Sequence, residues 1–289
     1  MNVLQVVTDD SGRGQESHLV LGGCILTVEE WLSFTEQWKK IIDEPPAISY
    51  FKMREANALR GQFSGFTEHE RDAKVWRLIS TVLLHKPHGV RVVVDTSAYR
   101  QKFSGQLSRE LDYPTFLASH EVIHAVMRAQ QIGRLPADGP ARFVFDEQGK
   151  ESDMFLYMWS IVMPPPPSSK INMALMPSRP IIEDDKTFLP LQMADLFAWH
   201  YFADVVANRQ NKEQTSPFWQ ALKTIPIIES ELDEKRLSKL IDGLRRFAKE
   251  ERILFPNDLP PKHQKALRKE LAKRKAQGHK GRSPSEKQS

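Results

Sequence analysis

The stretch 188–206 has apolar residues on every face of a helix, yet its segment 191–199 carries one carboxylate, Asp195, within the run Leu191-Gln192-Met193-Ala194-Asp195. A helix with no polar side is one buried all round, so the rest of the chain has to surround it in more than one layer. An ionised carboxyl in that setting needs a cation or hydrogen-bond donors, or it stays protonated. Two further acids close strand-like runs, Asp9 in VLQVVTDDSG and Asp146 in ARFVFDEQG. Three acids brought to one place by two strands and a buried helix point to a metal site.

The remaining pattern supplies the layers. Val3, Leu4, Val6 and Val7 alternate with polar residues and stop at Asp9-Asp10-Ser11-Gly12, a turn signal. A second strand is expected over 18–26. Its paired glycines, Gly22 and Gly23, indicate a bulge or the close approach of another backbone. Thr27, followed three residues later by Glu30, is a capping box opening a helix that ends before Pro45. The segment 48–55 reads equally as strand or turn. An amphipathic helix is expected over 67–84, with Val75, Leu78, Ile79, Val82 and Leu83 on its apolar stripe.

Strands are expected over 90–95, 142–146 and 171–176. Helices are expected over 113–132, over 150–161 before the prolines at 164–167, and over 232–250. Two adjacent strands followed by strands alternating with long helices define an α/β layered domain. We assign residues 1–255 to it and 256–289 to a basic extension.

Phosphodiester hydrolysis needs charge stabilisation on both the attacking and the leaving oxygen, which two divalent ions about 4 Å apart and bridged by a carboxylate provide. Magnesium takes oxygen ligands and keeps several waters, so three or four carboxylates suffice. Asp9, Asp146 and Asp195 are the expected ligands of two Mg2+ (or Mn2+) ions, with Glu55, Asp10 and Glu147 as candidate additions. Each has a plainer reading. Asp9 and Asp10 suit a turn, Asp146 and Glu147 suit a helix cap, and Glu55 suits a solvated surface. Asp195 suits a buried ion pair for which Lys186 is a plausible partner.

Composition narrows the setting. The single cysteine, Cys24, excludes an intramolecular disulfide and a thiolate zinc cluster, and reads as a small buried hydrophobe. The opening residues do not form a signal peptide, and no run is long enough to span a membrane. A soluble, cytoplasmic protein is expected. Although the formal net charge is +4, ten Lys and Arg stand against two acids in 261–289, so the basic excess belongs to this tail. Lys262, Lys265, Arg268, Lys269, Lys273, Arg274 and Lys275 suit a nucleic-acid phosphate backbone, DNA or RNA alike; the alternative is a solvated tail. Oligomeric state is left open. His120, Glu121 and His124 match H-E-x-x-H on an expected helix. A zinc peptidase there requires a cleft and a third ligand. A binding module without turnover is the main rival to a nuclease.

An aspartate closing the first strand before Ser-Gly, a Gly-Gly second strand, an FDE strand end and a late LQxADLxAW helix resemble the family catalogued as domain of unknown function 3800. The resemblance covers about 3–202. It departs at Asp10, where the family has Glu, and extends to Phe51-Lys52-Met53-Arg54-Glu55, similar to a short family motif with a basic residue ahead of an acid. It implies an RNase H-like three-layer fold, a mixed sheet flanked by helices, here with helical C-terminal additions. It also implies that Asp9 bridges two magnesium ions, that Asp146 and Asp195 complete their shells, and that 90–95 is the third strand, with Asp95 structural. Glu55 or Lys52 is then expected near the scissile phosphate, and Lys186 is expected to neutralise substrate charge or tether Asp195.

Overall fold

Capping chemistry sets where the first helices begin. In the computed structural model, which describes residues 3–12, 17–104, 113–149, 151–152, 155–156, 159 and 172–250, Thr27 accepts from the Glu30 N–H at 3.2 Å while Glu30 accepts from the Thr27 N–H at 2.8 Å. Thr67 and Glu70 repeat this reciprocal pairing, and each satisfies donors that a helix start leaves open. The helices they open are α1 (Val28–Asp43) and α3 (Glu68–His85), with the short α2 (Met53–Asn57) between them. The other helices are α4 (Pro114–Gln131), α5 (Pro190–Arg209), α6 (Pro217–Leu222) and α7 (Glu234–Glu250).

Six strands form one sheet: β1 (Leu4–Ser11), β2 (His18–Thr27), β3 (His88–Asp95), β4 (Arg142–Asp146), β5 (Ile181–Glu183) and β6 (Ile227–Leu232). Their order is β5-β4-β1-β2-β3-β6. β1, β2 and β3 form an antiparallel meander, β4 runs parallel to β1, β5 parallel to β4, and β6 parallel to β3. This is the RNase H-like architecture, a mixed sheet flanked by helices, with β6 and α7 added beyond β3.

The strand period of two divides the core. Val6, Leu19, Leu21, Val92 and Phe143 pack with α4 and α7 on one face. Val7, Val20, Cys24, Val93 and Val144 pack with α1, α3, α5 and α6 on the other. α5 lies directly on the sheet beneath α1, which explains why its sequence has no polar side: Leu191, Met193, Ala194, Leu196 and Phe197 are all buried. Asp95 accepts from the Ala98 N–H at 2.8 Å and starts a single helical turn after β3.

Several expectations require correction. Of the strand expected over 171–176, the described residues 172–176 are not a strand but hold a 3-10 turn at Met173–Leu175, and the edge strand lies later, at β5. β6 is an additional strand, and the segment 48–55 resolves into a loop leading into α2. The described residues of 151–159 are helical, whereas the prolines at 164–167 and the extension 256–289 lie outside the described residues. No helix among the described residues is long and apolar enough to cross a membrane.

The glycine pair marks close approach, not a bulge, since the β1–β2 register runs unbroken from Leu4↔Thr27 to Ser11↔Val20. A Cβ on Gly22 would lie 2.8 Å from the Ala198 Cα of α5, and one on Gly23 would lie 1.9 Å from the Val7 carbonyl oxygen. The Tyr201 ring lies equally near the Gly22 position, at 2.8 Å, but the main-chain obstacles cannot turn aside. Gly22→Ala is therefore expected to lower unfolding free energy by about 1–3 kcal/mol through overpacking. Gly139→Ala, where a Cβ meets nothing within 4 Å, should stay within about 0.5 kcal/mol. Urea denaturation of the two variants side by side checks this, and equal midpoints would refute it.

Candidate carboxylate centre

Parallel pairing aligns two of the acids. Val7 of β1 stands opposite Val144 of β4, and both side chains enter the core shared with α5. Two residues further along each strand, on the same face, come Asp9 and Asp146. Both occupy carboxyl ends of neighbouring parallel strands, where open α/β sheets place their sites. Asp195 faces them from the first turns of α5.

Charge and burial couple the three. Asp9 is 4% exposed; burial pushes its carboxyl well up, and Asp195, Asp146 and Asp10 add repulsion. Burial likewise raises Asp146 to about 6, although Lys52 pulls it back, with Asp185 and Asp10 opposing. Asp195 is raised to about 6 by burial, countered by a hydrogen bond from the Met53 N–H and by the Lys52 charge. Lys52 is the cation shared by all three. Burial works against its charge, but the contact with Asp185 and the fields of Asp9 and Asp195 outweigh burial and hold it firmly protonated.

Two residues that the sequence did not single out organise this group. Asp185, only 5% exposed, places Oδ2 2.5 Å from the Lys52 ammonium. Gln192, fully buried, accepts from Trp38 Nε1 at 3.0 Å and the Phe51 N–H at 3.1 Å, and donates to the Asp185 carbonyl at 2.9 Å. One turn along α5, Asp195 Oδ2 accepts from the Met53 N–H at 2.6 Å. Gln192 and Asp195 thus hold two alternate backbone donors, and Lys52 lies between them. The LQxAD motif was visible in the sequence. Its glutamine fixing the loop that carries Lys52 was not.

Other expected residues are placed elsewhere. Glu55 accepts from Tyr50 Oη at 3.1 Å and the Gln62 N–H at 2.8 Å, and so organises the 49–62 loop. Lys186 does not tether Asp195; its ammonium lies over the Tyr50 ring, 5.5 Å from the centroid. Asp10 accepts from Gln148 Nε2 at 2.6 Å. Glu147 donates its N–H to the Glu183 carbonyl, continuing the β4–β5 pairing. The basic residues Lys262, Lys265, Arg268, Lys269, Lys273, Arg274 and Lys275 lie outside the described residues.

The H-E-x-x-H helix is occupied internally. His120 and His124 face each other with their Nε2 atoms 3.2 Å apart, and burial lowers both pKa values, so the pair is neutral. Glu121 takes the Arg128 guanidinium at 2.5 Å and the Ser230 hydroxyl at 2.7 Å, which removes it as a free base. Among the described residues, no group of three or more His, Cys, Asp or Glu side chains is arranged to hold a metal ion. For the histidines, this leaves the third peptidase ligand unsupplied. The aspartates are coupled through charge without forming a ready ligand shell, since Met53 holds one oxygen of Asp195 and the Asp10 N–H holds one of Asp9 at 2.7 Å. Their chemistry nonetheless fits a hard divalent ion: oxygen donors only, with a buried Asp9 repelled by both of the others.

A pH effect follows. Because Asp195 titrates near 6 in the folded state and about 3.9 when unfolded, the folded protein binds the extra proton between these values. Stability carried by that proton is lost as pH rises through the window. Buried histidines titrate in the opposite sense, so the comparison has to be a difference. In chelator, the melting temperature of Asp195→Asn minus that of the parent should grow from pH 4 to pH 7. A difference that shrinks over that range would rule out a desolvated carboxyl at this position.

No family model matches the chain, and no curated protein does. Among solved structures it is similar to Bst-RNase HIII in complex with Mn2+, at 12% identity, over 86% of this chain and 71% of that one, with a TM-score of 0.42.

Proposed function

We propose that the chain is a metal-dependent nuclease that hydrolyses nucleic-acid phosphodiester bonds at Asp9, Asp146 and Asp195. The observation that carries this reading is the placement of three aspartates by β1, β4 and α5 so that Asp9 feels the charge of both others and Lys52 acts on all three. The likeness of Asp9-Asp10-Ser11-Gly12 and Leu191–Asp195 to the family named above supports it. So does an acid-only donor set suited to Mg2+ or Mn2+. A bound divalent ion would supply charge neutralisation at the phosphate and a more acidic attacking water.

The chain's own residues would do the rest. Asp9, central in the sheet and feeling both other acids, would be the central ligand. Asp195 offers Oδ1, because Oδ2 holds Met53. Asp146 sits at the more open end of the group. The Lys52 ammonium is placed to meet a non-bridging phosphate oxygen. The basic extension would track the backbone of DNA or RNA without reading its sequence.

A second reading rests on one observation. The Met53 N–H and the Lys52–Asp185 pair already satisfy part of the acidic charge, which suits a binding module that keeps the fold without turnover.

Incubating the parent and Asp9→Asn with a panel of single- and double-stranded DNA and RNA, in Mg2+, Mn2+ or chelator, separates the two. The nuclease reading expects cleavage by the parent in metal alone and a fall to the chelator background in Asp9→Asn. Tight binding without any cleavage would favour the module. Removing 261–289 should leave the cleavage chemistry intact, weaken binding, and flatten the salt dependence by about 0.9 log unit per lost phosphate contact.

A further inference from the structure

Lys52 is not an ordinary surface lysine. Its side chain is 27% exposed against 7% for that of Asp185, its partner at 2.5 Å. The backbone on either side is fastened, at Phe51 by Gln192 and at Met53 by Asp195. Asp185 is fixed as well: Gln192 holds its carbonyl, and the turn around it closes through Asp184, which accepts from the Lys186 N–H at 2.9 Å. Both ends of the ion pair are therefore set by the same helix, α5. From this position the ammonium acts on Asp9, Asp146 and Asp195 alike.

We propose that the Lys52 ammonium, anchored by Asp185, is a built-in cation of this centre and stands in for one of two divalent ions, so that the chain holds a single ion. The proposal rests on the metal-dependent reading of the site. A second divalent ion about 4 Å from the first has to share the bridging carboxylate, and there it would meet the positive field that Lys52 already puts on all three acids from a backbone pinned to α5. To enter, it must repel or displace the ammonium, which would leave Asp185 buried and unpaired, a strongly unfavourable outcome. An ion held by Asp9, Asp146 and Asp195 would supply a more acidic water, and the fixed ammonium would meet the phosphate charge.

Counting bound Mn2+ by isothermal titration, with free Mn2+ followed by electron paramagnetic resonance, tests this without reference to activity. The full-length parent should bind one ion. Lys52→Met and Lys52→Gln should gain a second site at least about tenfold tighter than any second site in the parent, equivalent to about 1.4 kcal/mol. Lys52→Arg, which keeps the charge, should stay at one. Circular dichroism identifies which variants are folded, and two neutral replacements guard against the collapse of either. Two ions in the parent would overturn the inference while leaving the metal-dependent reading intact. One ion in the parent and in both neutral variants would overturn it as well. No binding by any of the proteins would overturn the metal-dependent reading itself.

Discussion

The side-chain amide of Gln192 is the point on which the site depends. It is fully buried and makes three hydrogen bonds, to Trp38 on α1, to the backbone of Phe51, and to the carbonyl of Asp185. A buried amide left half satisfied costs more than an apolar residue in its place. Three separate segments therefore have to arrive together for α5 to be buried at all. Their arrival is what places Lys52 beside Asp185 and puts the Met53 N–H on Asp195. The acidic centre follows from how this helix is accommodated.

Much of this was legible in the sequence wherever it rests on local chemistry. The capping box at Thr27 marks its helix because a four-residue motif fixes both hydrogen bonds. Asp9 and Asp146 are marked by the turn signals that end their strands, and α5 is marked by the lack of a polar face. The paired glycines of β2 pointed correctly to a neighbouring backbone, though not to which one.

What was not legible depends on partners distant in sequence. Glu55 takes its contacts from Tyr50 and Gln62, and Lys186 lies over the Tyr50 ring, pairings that no local pattern announces. Asp185 looks like one more charge in the run Glu183-Asp184-Asp185-Lys186; only the return of Lys52 from 133 positions earlier distinguishes it. β5 is three residues long and carries little periodic signal. β6 does alternate, with Ile228, Ser230 and Leu232 buried, but a serine in the inward row hides the pattern. His120 and His124 show the converse: a motif strong in sequence whose glutamate is taken up by Arg128 and Ser230.

The contact between Gly22 and Ala198 has a mechanical meaning. Gly22 is the cross-strand partner of Asp9, and Ala198 lies three residues, about 4.5 Å along the helix axis, beyond Asp195. Main chain meets main chain at that point, so no rotamer can lengthen or shorten the gap between strand and helix. Side-chain spacers elsewhere in the core can breathe by changing χ angles, whereas this one acts as a hard stop. The separation of the two carboxylates is thus gauged by backbone contact within one residue of the first and one turn of the second. Two carboxylates set on such a gauge keep their spacing while the side chains around them repack.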